Sequence, residues 1–119
     1  MIIGIDHVQV AIPRGGESQA RSFYYSLLGM TELAKPAALA GRGGCWFSAG
    51  TAVLHLGVDE PFRPAGKAHP AFVVTELDAL YERLTAAGYP GVRADGEIAG
   101  VRRFHVLDPF GNRIEFQQG

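Results

Sequence analysis

Leu107-Asp108-Pro109-Phe110-Gly111-Asn112-Arg113-Ile114-Glu115 is the stretch whose reading decides the fold. Its middle, Asp108-Pro109-Phe110-Gly111, is a turn, since proline presets φ and glycine accepts backbone angles that other residues avoid. Val101 to Leu107 and Asn112 to Gln117 flank it and read as the two strands of a hairpin. Glu115 lies between Ile114 and Phe116, so it points away from their face. The first half of the chain ends in the same way. Cys45 to Ser48 and Thr51 to Leu56 form a hairpin around Ala49-Gly50, and His55 lies between Leu54 and Leu56.

The likeness extends back from each hairpin. Ile5 to Ile12 is predicted as a strand, with Val8, Val10 and Ile12 on one face and His7 and Gln9 on the other. Pro13-Arg14-Gly15-Gly16 is a loop. From Glu17 to Leu28 the apolar residues Ala20, Phe23, Tyr24, Leu27 and Leu28 recur at helical spacing, and Gly29 ends the helix. Met30 to Ala34 is a further strand, and the alanine- and glycine-rich run Lys35 to Gly44 is expected to be a flexible loop. In the second half Ala68 to Val74 is a strand carrying His69. Thr75 is the expected N-cap, with Asp78 three residues on. Leu77, Leu80, Tyr81 and Leu84 form the helix face, Gly88 ends it, and Tyr89 to Ala94 is a strand. The chain thus reads as a single domain, 1–119, of two βαβββ modules, 1–57 and 68–119, joined by a linker, 58–67, with Pro61 and Pro64.

Composition narrows the function classes. The length of 119 residues suits one compact domain, and 47% hydrophobic residues is the level of a globular protein. A formal charge of −1 gives no electrostatic reason to expect nucleic acid or an anionic membrane as partner. Cys45 is the only cysteine, so no intrachain disulfide forms, and its uncharged surroundings predict a packed thiol. The amino terminus lacks a signal peptide's basic region, and no apolar run approaches the roughly 20 residues of a membrane span. A cytoplasmic location is the expectation. Phosphate-binding glycine loops, a nucleophilic serine elbow and paired-cysteine zinc motifs are all absent.

His7 over His69 and His55 over Glu115 are the chemistry-bearing matches of the repeat. A lone strand histidine is more often a packing residue than a ligand. Four metal-binding side chains at matching places of a doubled module are expected to converge on one divalent metal, and zinc, nickel, manganese, iron and cobalt all accept such donors. His105 falls about opposite Glu115 if the last hairpin pairs regularly, and reads either as a proton-transferring residue or as a solvated strand histidine. Arg103 shares that face, to hold a substrate anion or to meet solvent. Trp46 shares the His55 face, as cavity wall or as core.

These stretches, with Ile5-Asp6-His7-Val8, Phe23-Tyr24, Leu28-Gly29-Met30, Val53-Leu54-His55-Leu56 and Ala68-His69, resemble the vicinal oxygen chelate superfamily over essentially the whole chain. That group includes glyoxalase I, fosfomycin-resistance thiol transferases, extradiol dioxygenases and metal-free bleomycin-resistance proteins. The resemblance implies an α+β fold of paired βαβββ modules, with curved mixed sheets enclosing a metal or ligand cavity and helices outside. It implies His7, His55, His69 and Glu115 as metal ligands, and Glu115, His55 and His105 as catalytic candidates. Gln9, Trp46 and Arg103 become candidates for substrate contact. A homodimer with sites built from both chains is implied as well.

The chain departs from the glyoxalase pattern at His55, where glutamate is usual. Three histidines and one carboxylate leave a divalent metal at net +1, a stronger Lewis acid. A metal-dependent lyase or isomerase acting on a small substrate with adjacent oxygens is the leading expectation. A ring-cleaving dioxygenase and a non-catalytic small-molecule or drug-binding protein are the alternatives. A thiol transferase is disfavoured, since no basic segment follows Glu115.

Overall fold

A computed structural model describes residues 1–119. The chain divides into two units, Met1–Pro64 and Ala65–Gly119. The first consists of β1 (Val8–Ile12), α1 (Glu17–Ala20) running directly into a π-helix (Arg21–Leu27), β2 (Thr31–Leu33), a short 3-10 turn (Ala40–Arg42), β3 (Cys45–Ala49) and β4 (Ala52–Val58). The second consists of β5 (Ala71–Val74), α2 (Leu77–Ala86), β6 (Val92–Arg93), β7 (Arg103–Leu107) and β8 (Arg113–Gln118). The sheets run β1-β4-β3-β2 and β5-β8-β7-β6. In both, the first strand pairs parallel with the last and the remaining pairings are antiparallel. This is the βαβββ module twice over, an α+β fold with mixed sheets.

Each sheet buries one face against its own helix. In the first unit Ala20, Phe23 and Tyr24 are fully buried, with Phe47, Leu54 and Leu56 of the sheet. The Tyr24 and Phe47 rings lie 5.8 Å apart. In the second unit Leu77 and Leu84 are buried with Phe104, Val106, Ile114 and Phe116, and Tyr81 meets Phe104 edge-on at 5.2 Å. Such aromatic pairs add about 0.5–1.5 kcal/mol to the area they bury. Gly29 and Gly88 take φ of +73° and +92°, the left-handed step with which the expected helices end.

Several boundaries differ from expectation for identifiable reasons. β1 starts at Val8 rather than Ile5. With Val8 opposite Leu54, a β4 that begins at Ala52 has nothing to offer residues before Asp6. β5 starts at Ala71, just after Pro70, which has no N–H to continue a ladder; its carbonyl still accepts from Glu115 N at 3.0 Å. The helix predicted over 17–28 widens into a π-helix, and Leu28 N reaches back five residues to Phe23 O at 3.0 Å.

Thr75 does not cap α2. The helix begins at Leu77, whose N–H is accepted at 3.1 Å by Oε1 of Gln118, on β8. The same amide donates to Thr75 O at 2.8 Å and to Val74 O at 3.3 Å. A side chain 41 residues downstream thus replaces the local cap. Asp78 instead accepts from Arg102 and Arg93.

The β7–β8 turn is closed by one buried carboxylate. Asp108 Oδ1 accepts from Phe110 N and Asn112 N, both at 2.9 Å, and Oδ2 accepts from Asn112 Nδ2 at 3.1 Å. Asp108 and Asn112 are 4% and 5% exposed, so these donors have little access to water if the carboxylate is lost. Asp108→Ala is expected to lower stability by about 3 kcal/mol, with Asp108→Asn intermediate, as measured by urea unfolding. An Ala variant within about 0.5 kcal/mol of wild type would show that the turn does not depend on these bonds.

Candidate functional site

The ladder of each unit aligns its chemistry-bearing residues in the same way. In the first unit His55, in mid-β4, lies between Gln9 on β1 and Trp46 on β3. In the second Glu115, in mid-β8, lies between Ala71 on β5 and His105 on β7. His7 precedes Gln9 by two residues and His69 precedes Ala71 by two, each just ahead of its strand. Side chains two apart share a face, so His7 joins His55 and His69 joins Glu115. The second hairpin is one residue longer at its turn: Ser48 pairs with Val53, whereas the equivalent Leu107 pairs with Arg113.

The first unit holds its pair in an aromatic stack. Trp46 and His55 lie 3.8 Å apart between centroids with planes 1° apart, and His7 covers His55 at 3.9 Å and 17°. His55 is consequently 9% exposed although it points away from the core. Burial, and secondarily the proximity of His7, lowers its pKa from the usual value of 6.5. Asp6 holds His7 Nδ1 at 2.8 Å, which leaves Nε2 for another partner. A cavity of about 550 Å³ opens here, lined by His7, Gln9, Leu33, Trp46 and Val53 among others.

The second unit holds its pair in a charged network. His69 Nδ1 faces Lys67 O at 2.7 Å and Nε2 faces Glu115 Oε1 at 3.0 Å. Gln117 Nε2 donates to Glu115 Oε2 at 2.8 Å, and Arg103 Nη1 lies 3.4 Å from both oxygens. Burial alone would raise the Glu115 pKa; the donors Gln117, His69 and Arg103 outweigh it and hold the carboxyl below its usual value. Arg103 also donates to Glu97 at 2.9 Å, so two carboxylates engage the guanidinium foreseen as an anion contact. Burial, with Arg113 and His69 nearby, lowers the His105 pKa. Cys45 is buried and pushed up to about 11 by burial, a packed thiol.

No group of three or more His, Cys, Asp or Glu side chains gathers at one point of either unit, so the donors come in twos. The ladder brings His7 to His55 and His69 to Glu115, and sets His105 and Trp46 at matching cross-strand positions. The sequence reading missed Lys35, Leu39 and Arg42, which were assigned to a flexible loop. They line a second cavity of about 250 Å³ in the first unit, with Gln9, Trp46 and Gly57. The available signal was two basic residues in a run without any acid, Lys35 to Gly44.

A sequence model of the glyoxalase/bleomycin resistance protein/dioxygenase superfamily matches residues 4–116. Among solved structures the chain is similar to a Bacillus anthracis protein described as of the glyoxalase family. The two share 49% identity over 100% of this chain and 97% of that one, with a TM-score of 0.94. It is similar in fold to a fosfomycin resistance protein from Listeria monocytogenes (16% identity, 100% and 95% covered, TM-score 0.78). The same holds for a lactoylglutathione lyase from Agrobacterium tumefaciens (20% identity, 94% and 92% covered, TM-score 0.70). No protein of curated function matches. No helix is long and apolar enough to cross a membrane.

The stacked pair has a pH signature. His55 binds its proton less readily folded than unfolded, so the unfolded chain carries more protons as pH falls below about 6.5. Its contribution to stability is complete above that value and is lost as pH drops through the lowered folded pKa. Trp46 is the only tryptophan and stacks on His55, so its fluorescence in metal-free protein is expected to report a midpoint below 6.5. His55→Asn should abolish that transition. A midpoint at or above 6.5 would contradict the buried stack.

Proposed function

Because the chain belongs to the glyoxalase/bleomycin resistance protein/dioxygenase superfamily, we propose that it is a divalent-metal-dependent glyoxalase-like enzyme. It moves a proton on a small substrate that bears adjacent oxygens. The observation that carries this reading is the pair of donor pairs, His7 with His55 and His69 with Glu115, at equivalent positions of two ladders of the same topology.

The residues present suit a divalent cation. Imidazole nitrogen and carboxylate oxygen are ligands for zinc, nickel, manganese, iron and cobalt. Asp6 and Lys67 O engage Nδ1 of His7 and His69, the orienting contact that metal-binding histidines use, and leave each Nε2 for the ion. Donors about 2.0–2.2 Å from one ion stand roughly 3–3.5 Å from each other, and His69 Nε2 is already 3.0 Å from Glu115 Oε1. Bound there, the metal supplies a Lewis acid for the negative charge that develops when a proton leaves the carbon beside a carbonyl.

The chain's own groups do the rest. Glu115, or His55 if it is left off the ion, takes the proton and returns it. His105, directly across from Glu115, is placed to relay it. Trp46, Leu33 and Val53 exclude water from one side of the substrate and Gln9 offers it an amide. Because each unit supplies two donors, a homodimer is the assembly proposed to bring one pair of each kind to a common ion.

Metal content tests the reading. Untagged protein, incubated with each of the five metals and desalted, is expected to retain about one ion per chain for at least one of them. Retention should fall at least tenfold in His7→Ala and in Glu115→Ala. Retention of no metal in wild type, or unchanged retention in both variants, would overturn the proposal. The aromatic cavity would then favour a protein that sequesters a small molecule without turning it over.

A further inference from the structure

The loop from Lys35 to Gly44 closes one side of the 250 Å³ cavity, and its basic residues are not spent on acids. In the same unit Arg14 is paired with Glu60 and Arg21 with Glu32. Arg42, by contrast, makes no ion pair, and the Lys35 ammonium is held only by the backbone oxygen of Gly43. Both line the cavity together with the Gln9 side chain. Gln9 lies so close over β4 that a Cβ at Gly57 would meet its Nε2 at 2.9 Å, so glycine at 57 makes room for the amide there. No acid is part of the lining; Glu17 lies behind Gly43, outside it. Two cationic donors and an amide facing one concavity are an anion receptor.

We infer that this cavity binds the acidic group of the substrate, a carboxylate or a phosph(on)ate. Its volume equals about eight waters' share of liquid, at about 30 Å³ each, which is room for such a group and a few carbons. Gln9, Leu39 and Trp46 belong to its wall and also to the wall of the larger cavity beside His7 and His55. One ligand can therefore lie across both, its anion at Arg42 and Lys35 and its other end at the two histidines. The substrate class is then a small acid with adjacent oxygens at the end away from its charge. That the anion belongs to a substrate rests on the metal-dependent reading; the anion site itself does not.

Metal-free protein separates the two ideas. The indole N–H of Trp46 and the amides of Gly43 and Gly44 would be followed by ¹H–¹⁵N NMR during titration with malonate, with methylphosphonate and with uncharged glycerol. Saturable shifts are expected with at least one anion and none with glycerol, and whichever of malonate and methylphosphonate binds more tightly identifies the acidic group. Arg42→Ala should weaken binding at least tenfold and Lys35→Met should act in the same direction. Arg63→Ala removes the same charge outside the cavity and should leave affinity unchanged. Absence of a saturable shift with both anions, or equal losses in Arg42→Ala and Arg63→Ala, would overturn the inference. Metal retention measured on the same Arg42→Ala protein should equal wild type. If wild type binds the anion and no metal, the receptor stands and the catalytic reading falls.

Discussion

Everything chemical in this molecule depends on the parallel pairing of the first and last strands of each unit. A parallel pair cannot be made by a tight turn; it needs a crossover, and here the helix and two more strands intervene. The result is that a residue at the start of the unit comes to lie beside one near its end. His7 meets His55 and His69 meets Glu115 across 48 and 46 residues of chain for that reason alone. The last strand is also central, between the first strand and the third. Its two faces are therefore covered by different things, core apolar residues on one side and polar ring or charge partners on the other. Leu54-His55-Leu56 and Ile114-Glu115-Phe116 are each buried at all three positions. An ionisable group is tolerated there because every exposed-face neighbour is arranged around it.

Much of this was legible in sequence because it rests on period and punctuation. The alternation around His55 and Glu115, the helical spacing of Phe23, Tyr24 and Leu84, and Gly29 and Gly88 at helix ends are local signals, and the module order follows from them. What escaped depends on distant partners. The cap of α2 comes from Gln118, which no window around Thr75 contains. The π-helix at Arg21–Leu27 involves a five-residue hydrogen-bond reach that an apolar face at positions 20, 23 and 24 does not distinguish from an ordinary helix. The loop over 35–44 looked unstructured by composition, yet Lys35 is tied to Gly43 O and Leu39 and Arg42 form a cavity wall. The four candidate ligands were visible as residues, and Trp46 was read onto the His55 face; the contacts of Asp6 with His7, Lys67 O with His69 and Gln117 with Glu115 were not, since being near in sequence does not show which group turns toward which.

The glycine at position 44 shows how tightly one part of the first unit is set. Its φ is +81°, and a Cβ there would lie 2.0 Å from the Leu56 carbonyl oxygen. The loop therefore enters β3 by passing directly over the β4 backbone, and no other side chain fits. Since Leu56 follows His55, this contact also fixes where the loop stands relative to the stacked rings.

The two donor pairs are equal in topology and opposite in environment. The first is held by ring faces and burial, the second by an arginine, a glutamine and a backbone carbonyl. Mobile ions act on these differently: at 1 M salt the screening length shrinks to about 3 Å, which weakens charge contacts reaching solvent and leaves stacked rings nearly untouched. Arg103 and its exposed partner Glu97 are of the first kind, at 21% and 67% side-chain exposure. Of the two donor pairs, the stacked one thus answers to acidity through the buried His55, and the networked one answers to ionic strength as well.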